Sequence, residues 1–357
     1  MLDVLTRMYE AQMAENLRMT QKLSDGVTRL TQFAPTSPLS DGAPRELVYE
    51  DRRMRLFRYP AAQPQPIPML IVYALVNKPY MLDLAPEKSF IRALGGQGIE
   101  IYLSEWKEPV RMARQPSLAE YVTGSIRNAV ACVNERHGRQ GVNLMGICQG
   151  GTLSLIYTAL YPETVRNLIT VVTPLDFHAG NNLFTHLSRH TDTAKVSDIL
   201  GTLPGDMLNI GFLQFKPFEL MIGKYLGMLD LVDDPEKLDF FMRMEQWIYD
   251  GQGLSGPAWH KFIKDCYQEN RLVNNEMELG GVKIDLASIT CPVLSATADK
   301  DHLVPLASSE AIGKVIRSQD YTHLRFTVGH IGMFVSEAMK KKVTPAIGQW
   351  LIKHNPQ

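Results

Sequence analysis

The stretch Val142-Asn143-Leu144-Met145-Gly146-Ile147-Cys148-Gln149-Gly150-Gly151 decides how the rest of the chain is read. Its first half is apolar enough for a strand buried on both faces, and its second half opens a helix. Gly146-Ile147-Cys148-Gln149-Gly150 fits the pattern G-x-S-x-G with cysteine in place of serine. In such an elbow the nucleophile sits in a strained turn. Small residues on either side let strand and helix pack closely enough to expose it. The helix that follows directs its N-terminal partial positive charge at the sulfur, a setting that favours thiolate. The backbone N–H of Gln149 points where an oxyanion would form. A tight strand–helix junction around a small buried hydrophobe would carry the same five residues, so the weight comes from the position between strand and helix.

Working outward, strands and helices alternate. Met69–Val76 is an unbroken apolar run, Ile99–Leu103 and Leu168–Thr173 read as strands, and Ser89–Leu94, Ser117–Arg136 and the stretch through Leu160 read as helices. Upstream, Glu46–Pro60 reads as a strand pair with a polar turn near Glu50–Arg52. This rhythm predicts a mostly parallel α/β sheet with right-handed crossovers. It stops after Pro174. Phe177–Asp285 is rich in Met, Leu, Phe and Trp and reads as mainly helical. Alternation resumes with Pro292–Ala296, Thr322–Val328 and a last helix, Ser336–His354. The expected organisation is therefore an N-terminal helical segment and linker (1–45), one α/β core (46–176 and 286–357) and a helical cap inserted at 177–285. Within the first segment, Leu2, Leu5, Tyr9, Met13 and Leu17 give an amphipathic helix over 1–33.

The elbow predicts its partners in the chain order nucleophile, acid, histidine. The acid should follow a late strand. After Cys291-Pro292-Val293-Leu294-Ser295-Ala296 come Asp299 and Asp301. Asp301, deeper in the loop and followed by Val304-Pro305, is the better candidate. Asp299 is the runner-up and also fits a turn or capping residue. The histidine should follow the last strand, where Val328-Gly329-His330-Ile331-Gly332 stands. Of nine histidines only His330 has this placement. His302 and His323 read as surface or supporting residues, and His178, His186, His190 and His260 as polar surface of the insertion. No HExxH spacing occurs, so no metal is expected. A second oxyanion donor should come from the loop Ala74–Tyr80, with the Val76 N–H as the candidate.

Composition bounds the partners. The 357 residues carry 37 basic and 38 acidic side chains, a net charge of −1. That argues against nucleic-acid or anionic-membrane binding by bulk electrostatics. It also leaves little charge to keep copies of the chain apart. No apolar run approaches the ~18–20 residues of a membrane span. Met1–Met19, interrupted by Asp3, Glu10 and Glu15, lacks the apolar core of a signal peptide. Cys132, Cys148, Cys266 and Cys291 show no CxxC pairing, so reduced thiols in the cytoplasm are expected.

Cysteine at the elbow itself suggests a reaction. A thiolate that takes an acyl group from a thioester forms another thioester, so the group stays activated and can pass downhill to an alcohol. Acyl transfer from a thioester therefore fits better than lipase chemistry.

Several stretches together resemble the catalytic PhaC subunits of class III polyhydroxyalkanoate (PHA) synthases. They are Leu70–Asn77, Asn143–Gly151, Val172–Phe177, Phe262–Asp265, Ile289–Leu294, Asp301–Pro305 and Gly329–Gly332. The likeness runs from about Val48 onward. Gln149 after the cysteine, with no long N-terminal domain, resembles class III rather than the other classes. Val328 and Glu105 depart from the usual pattern without removing a reactive group. The resemblance implies an α/β-hydrolase fold with Cys148 as nucleophile, Asp301 as acid and His330 as general base. It implies polymerisation of (R)-3-hydroxyacyl-CoA, 3-hydroxybutyryl-CoA first among them, with CoA as leaving group and no cofactor. It also implies a noncatalytic PhaE-type partner subunit, a homodimer, and attachment to cytoplasmic polymer granules. The cap would exclude water. Its Phe212, Phe215, Phe218, Tyr225 and Trp247 suit an apolar channel, although at such spacing ordinary core packing fits most of them better. Lys340-Lys341-Lys342 fits a solvated helix face better than a phosphate site. A cysteine-dependent esterase or thioesterase is the alternative, and a noncatalytic granule protein the third.

Overall fold

The computed structural model describes residues 6–7, 9–18, 20–21, 24, 41–110, 114–180 and 183–355. Eight strands form one sheet: β1 (Glu46–Glu50), β2 (Met54–Tyr59), β3 (Met69–Val72), β4 (Ile101–Trp106), β5 (Val142–Ile147), β6 (Val165–Val171), β7 (Val293–Ala298) and β8 (Tyr321–Phe326). Their order is β1-β2-β4-β3-β5-β6-β7-β8. The β1–β2 and β2–β4 pairs are antiparallel, and every later pair is parallel. The polar turn between β1 and β2 is an aspartate turn: Asp51 Oδ1 accepts the N–H groups of Arg53 and Met54, each at 2.7 Å.

Side chains on the parallel strands alternate between two apolar cores, as a sheet covered on both faces requires. Leu70, Val72 and Leu144 enter one core, Met69, Ile71, Met145 and Ile147 the other. The first face is covered by α2 (Arg127–His137) and α3 (Gln149–Leu160), the second by α1 (Phe90–Gly95) and α5 (Thr344–His354). The chain steps outward from β3 to β4 and then returns across β3 to β5. The C-terminal ends of β3 and β5 therefore flank the switch point where open α/β sheets place their ligands.

The segment between β6 and β7 is mainly helical, as its composition predicts. It includes α4 (Pro235–Tyr249), whose N-cap Asp234 accepts the Lys237 N–H and which has proline in its first turn. It also holds two two-residue strand pairs that the sequence pattern does not reveal, Thr202–Leu203 with Leu254–Ser255 and Glu278–Leu279 with Val282–Lys283.

Several elements differ from expectation. The run Met69–Val76 is strand only to Val72, because beyond it the chain leaves the ladder and becomes a loop. The helix expected over Ser117–Arg136 opens with a capping box, Ser117 and Glu120 bonding each other's backbone N–H groups. It continues as a π-helix over Glu120–Ile126 before α2. The final helix, expected over Ser336–His354, is a π-segment Met339–Val343 followed by α5, and a further short helix, Gly332–Val335, precedes it. In the helix expected over 1–33, residues 6–7, 9–18, 20–21 and 24 are helical, with Tyr9, Met13 and Leu17 exposed. The rest of that expectation lies outside the described residues. No helix among the described residues is long and apolar enough to cross a membrane.

Candidate active site

Cys148 lies between β5 and α3 with φ 52° and ψ −123°. This is a strained backbone for a residue with a Cβ, and the surroundings hold it there. Its N–H donates to the Val171 carbonyl at 2.9 Å, and its carbonyl accepts from Gly151 N–H at 2.9 Å. The side chain makes no cap bond to its own helix. The close packing that the glycines permit is real. A Cβ on Gly150 would overlap the Val72 carbonyl oxygen, so α3 rests directly on the end of β3.

His330 follows β8 and Asp301 follows β7. The His330 Nδ1 and Asp301 Oδ2 are 2.7 Å apart, with side chains only 6% and 2% exposed. The other carboxylate oxygen, Oδ1, accepts the N–H groups of Leu303 and Val304 at 2.8 and 2.9 Å. Both oxygens of Asp301 are thus engaged, one by the loop backbone and one by the imidazole. Burial opposes a charged imidazole. The Asp301 carboxylate, and next the Cys148 sulfur beside it, outweigh burial and raise His330 to about 10. Asp299 goes elsewhere. Its carboxylate accepts from Arg325 Nε at 2.9 Å on the surface.

The loop after β3 is held from several sides. The Tyr73 N–H donates to Ser104 Oγ at 3.0 Å, and the Tyr73 carbonyl accepts from Trp106 Nε1 at 2.8 Å. Leu75 N–H donates to Gln149 Oε1 at 3.0 Å. Asn77 has φ 61°. Beyond it, the Lys78 carbonyl accepts from Trp247 Nε1 at 2.8 Å. Lys78 Nζ pairs with Asp250 at 2.6 Å, and Tyr80 OH donates to the same carboxylate at 3.2 Å. Val76 stands between the Leu75 and Asn77 positions and lines the same two cavities as Cys148.

Those cavities meet at the cysteine. One, of about 170 Å³, is walled by Tyr73 and Phe334 of the core, by Phe212, Met244 and Trp247 of the insertion, and by His302 and His330. The other, of about 80 Å³, is walled by Gln149 and by aromatic residues that include Phe184, Phe215, Trp259 and Tyr267. Cys148, Val76, Phe212 and Leu303 border both.

The remaining expectations divide. Phe212, Phe215 and Trp247 line the cavities, but Phe218 is 73% exposed and Tyr225 turns its hydroxyl to Glu245 at 2.7 Å. His302 does not sit on the open surface. It is half-buried on the wall of the larger cavity, where burial lowers its pKa. Its position depends on insertion residues distant in sequence, so the local pattern around Asp301 gives no sign of it. His323 bonds Thr297 Oγ1, His178 the Tyr267 carbonyl and His260 Thr193 Oγ1. Lys340 and Lys341 pair with Glu87 and Glu337 on the surface. Among the described residues no group of three or more His, Cys, Asp or Glu is placed to hold a metal ion.

Comparison with known proteins agrees with this architecture. A family model described as alpha/beta hydrolase fold matches residues 69–337. One described as poly-beta-hydroxybutyrate polymerase (PhaC) N-terminus matches residues 11–94. The poly(3-hydroxyalkanoate) polymerase subunit PhaC of Allochromatium vinosum is 44% identical over 342 residues, covering 94% of this chain and 96% of that one. Its namesake in Synechocystis is 39% identical, covering 96% and 93%. Among solved structures, a monoacylglycerol lipase from Paleococcus ferrophilus superposes with a TM-score of 0.55 at 17% identity. It covers 84% of this chain and 99% of its own, which is a likeness of fold alone. With an eight-stranded, mostly parallel sheet and relatives this similar along nearly its whole length, the chain belongs to the PhaC family of poly(3-hydroxyalkanoate) polymerase subunits, on the α/β-hydrolase fold.

Proposed function

We propose that this chain is the polymerising subunit of a class III PHA synthase. It takes (R)-3-hydroxyacyl groups, 3-hydroxybutyryl first among them, from CoA onto Cys148 and passes them to the hydroxyl end of a growing polyester. The observation that carries this is the buried 2.7 Å His330–Asp301 bond beside a cysteine held at a positive-φ elbow. The relatives' name supports the product.

In the first step His330 takes the thiol proton and Cys148 Sγ adds to the thioester carbonyl carbon. The negative oxygen that forms accepts the N–H groups of Gln149 and Val76. The bond to the CoA sulfur then breaks, the electron pair leaves with that sulfur, and His330 returns the proton to it. In the second step the 3-hydroxyl of an acyl unit attacks the Cys148 thioester. Its proton passes to His330, the ester C–O bond forms and the C–Sγ bond breaks. Asp301 acts by orienting and charging His330. The engagement of both its oxygens supports that role over direct contact with the hydroxyl. No cofactor is needed, since CoA is the leaving group.

Residues 177–285 serve as a cap. The apolar cavity walls that Phe212, Met244 and Trp247 contribute support the exclusion of water, which would otherwise hydrolyse the acyl-enzyme. The chain works with a PhaE-type subunit, pairs with itself and sits on cytoplasmic polymer granules. Sedimentation with and without that subunit tests the assembly.

Incubation of the full chain with 3-hydroxybutyryl-CoA, with and without the partner, tests the activity. CoA and polymer should appear together, and Cys148→Ala should abolish both. Free 3-hydroxy acid without polymer would instead identify a thioesterase, and normal polymer from Cys148→Ala would dismiss the nucleophile.

A further inference from the structure

Two anchors fix the ends of the loop after β3. Tyr73 is held by Ser104 and Trp106 of β4, and Lys78 by Trp247 and Asp250 of the insertion. Between them, one tie joins the loop to the elbow, the Leu75 N–H donating to Gln149 Oε1 at 3.0 Å. The amide's orientation is fixed by its partner, because only the oxygen of a glutamine side chain can accept from an N–H. Gln149 is half-buried and faces the smaller cavity among apolar neighbours such as Pro174, Leu208 and Leu254.

We propose that Gln149 is a positioning residue for acyl transfer: through Oε1 it holds the Leu75 peptide and so sets where the Val76 N–H stands relative to its own N–H. This rests on the assignment of those two N–H groups as oxyanion donors. Once the planar peptide before Leu75 is fixed, the next N–H is set by two torsions only, φ and ψ of Leu75. The adjoining Asn77 sits at φ 61°, away from the broad minima, so the loop has reason to relax if released. One side chain thereby ties the two donors to each other, although one comes from the loop after β3 and the other from the start of α3. A donor displaced by an ångström costs rate, on the order of 10²-fold, while leaving the nucleophile untouched.

The test separates acylation from simple nucleophilicity. Iodoacetamide alkylates a thiolate by forming a C–S bond as iodide leaves, with no oxyanion to stabilise. Gln149→Met keeps the side-chain length and removes the acceptor. In the full chain with its partner subunit it should lower kcat for CoA release from 3-hydroxybutyryl-CoA by about 10–100-fold. KM should stay within about threefold and the rate of Cys148 alkylation within about twofold, as expected when a transition-state interaction alone is lost. Gln149→Glu keeps an oxygen for the Leu75 N–H and suits the first turn of a helix. It should keep kcat within about threefold of wild type, and it serves should the methionine variant not fold. An unchanged kcat in Gln149→Met, equal losses in the two variants, or alkylation falling in step with acyl transfer would each overturn the proposal. Failure of the broader functional reading shows separately: wild type would then release no CoA, or Cys148→Ala would still release it.

Discussion

His330 is buried, yet it is built to carry charge. Its ordinary pKa lies near 6.5, and the Asp301 carboxylate and Cys148 sulfur raise it to about 10 against the cost of burial. Asp301→Asn keeps an oxygen for the Leu303 and Val304 N–H groups and removes the charge. The His330 titration midpoint, followed by ring NMR shifts, should then fall by a unit or more. A proton held more tightly in the folded state stabilises fully below the unfolded pKa and ceases to do so as pH rises through about 10. The melting-temperature advantage of wild type over Asp301→Asn should therefore be full near pH 6 and shrink toward pH 10. That Asp301 rather than Asp299 meets the imidazole is a matter of three dimensions. The two residues have the same strand parity, and the sequence favours Asp301 only through its depth in the loop and the Val304-Pro305 that follows. The chain settles it by continuing Asp299 along β8, its N–H on the Phe326 carbonyl, before turning inward. Gln149 shows the opposite limit. Its place after the cysteine is plain in the sequence, but its side-chain partner Leu75 is 74 residues away.

At the scale of elements, the β5–α3 junction was the most legible feature. A both-faces-buried strand, a small residue at each end of the turn and a helix start are local signals, and the strand bounds Val142–Ile147 match. Gly150→Ala should be disproportionately harmful. Its Cβ would meet the β3 backbone, which has little freedom to yield, and overpacking of this kind costs about 1–3 kcal/mol. Urea denaturation should show the loss. The Lys78–Asp250 pair is a different case. It joins the loop after β3 to the end of α4, but both side chains are more than a third exposed. Lys78→Met should change global stability by no more than about 1 kcal/mol. Such long-range ties were not legible, and neither were the two-residue strand pairs of the insertion or the π-turns. Each depends on which distant segments pack together, whereas hydrophobic periodicity reports only which face of an element is covered.

For the whole molecule, the insertion matters because it supplies walls. The core brings Cys148, His330 and Asp301, while Phe212, Met244 and Trp247 complete the larger cavity. The alternation of strands and helices, and its interruption after Pro174, were visible in the sequence. The enclosure of the cysteine was not, since apolar residues at helical spacing look the same in a core and in a cavity wall. The larger cavity is the one lined by His330, so an acyl group on Cys148 should settle there. Acylation by butyryl-CoA, which has no 3-hydroxyl with which to elongate, should change tryptophan emission. Trp247→Phe should remove that change and Trp259→Phe, in the smaller cavity, should retain it.

The shared wall at Cys148 also bears on inhibitor design. A covalent ligand branched at the atom that the sulfur attacks would find an apolar recess for each arm, the two differing about twofold in volume. A linear ligand can fill only one. Unequal arms, the bulkier one directed toward Trp247, would suit the asymmetry, and exchanging the arms should weaken binding even though the buried surface of the ligand is the same.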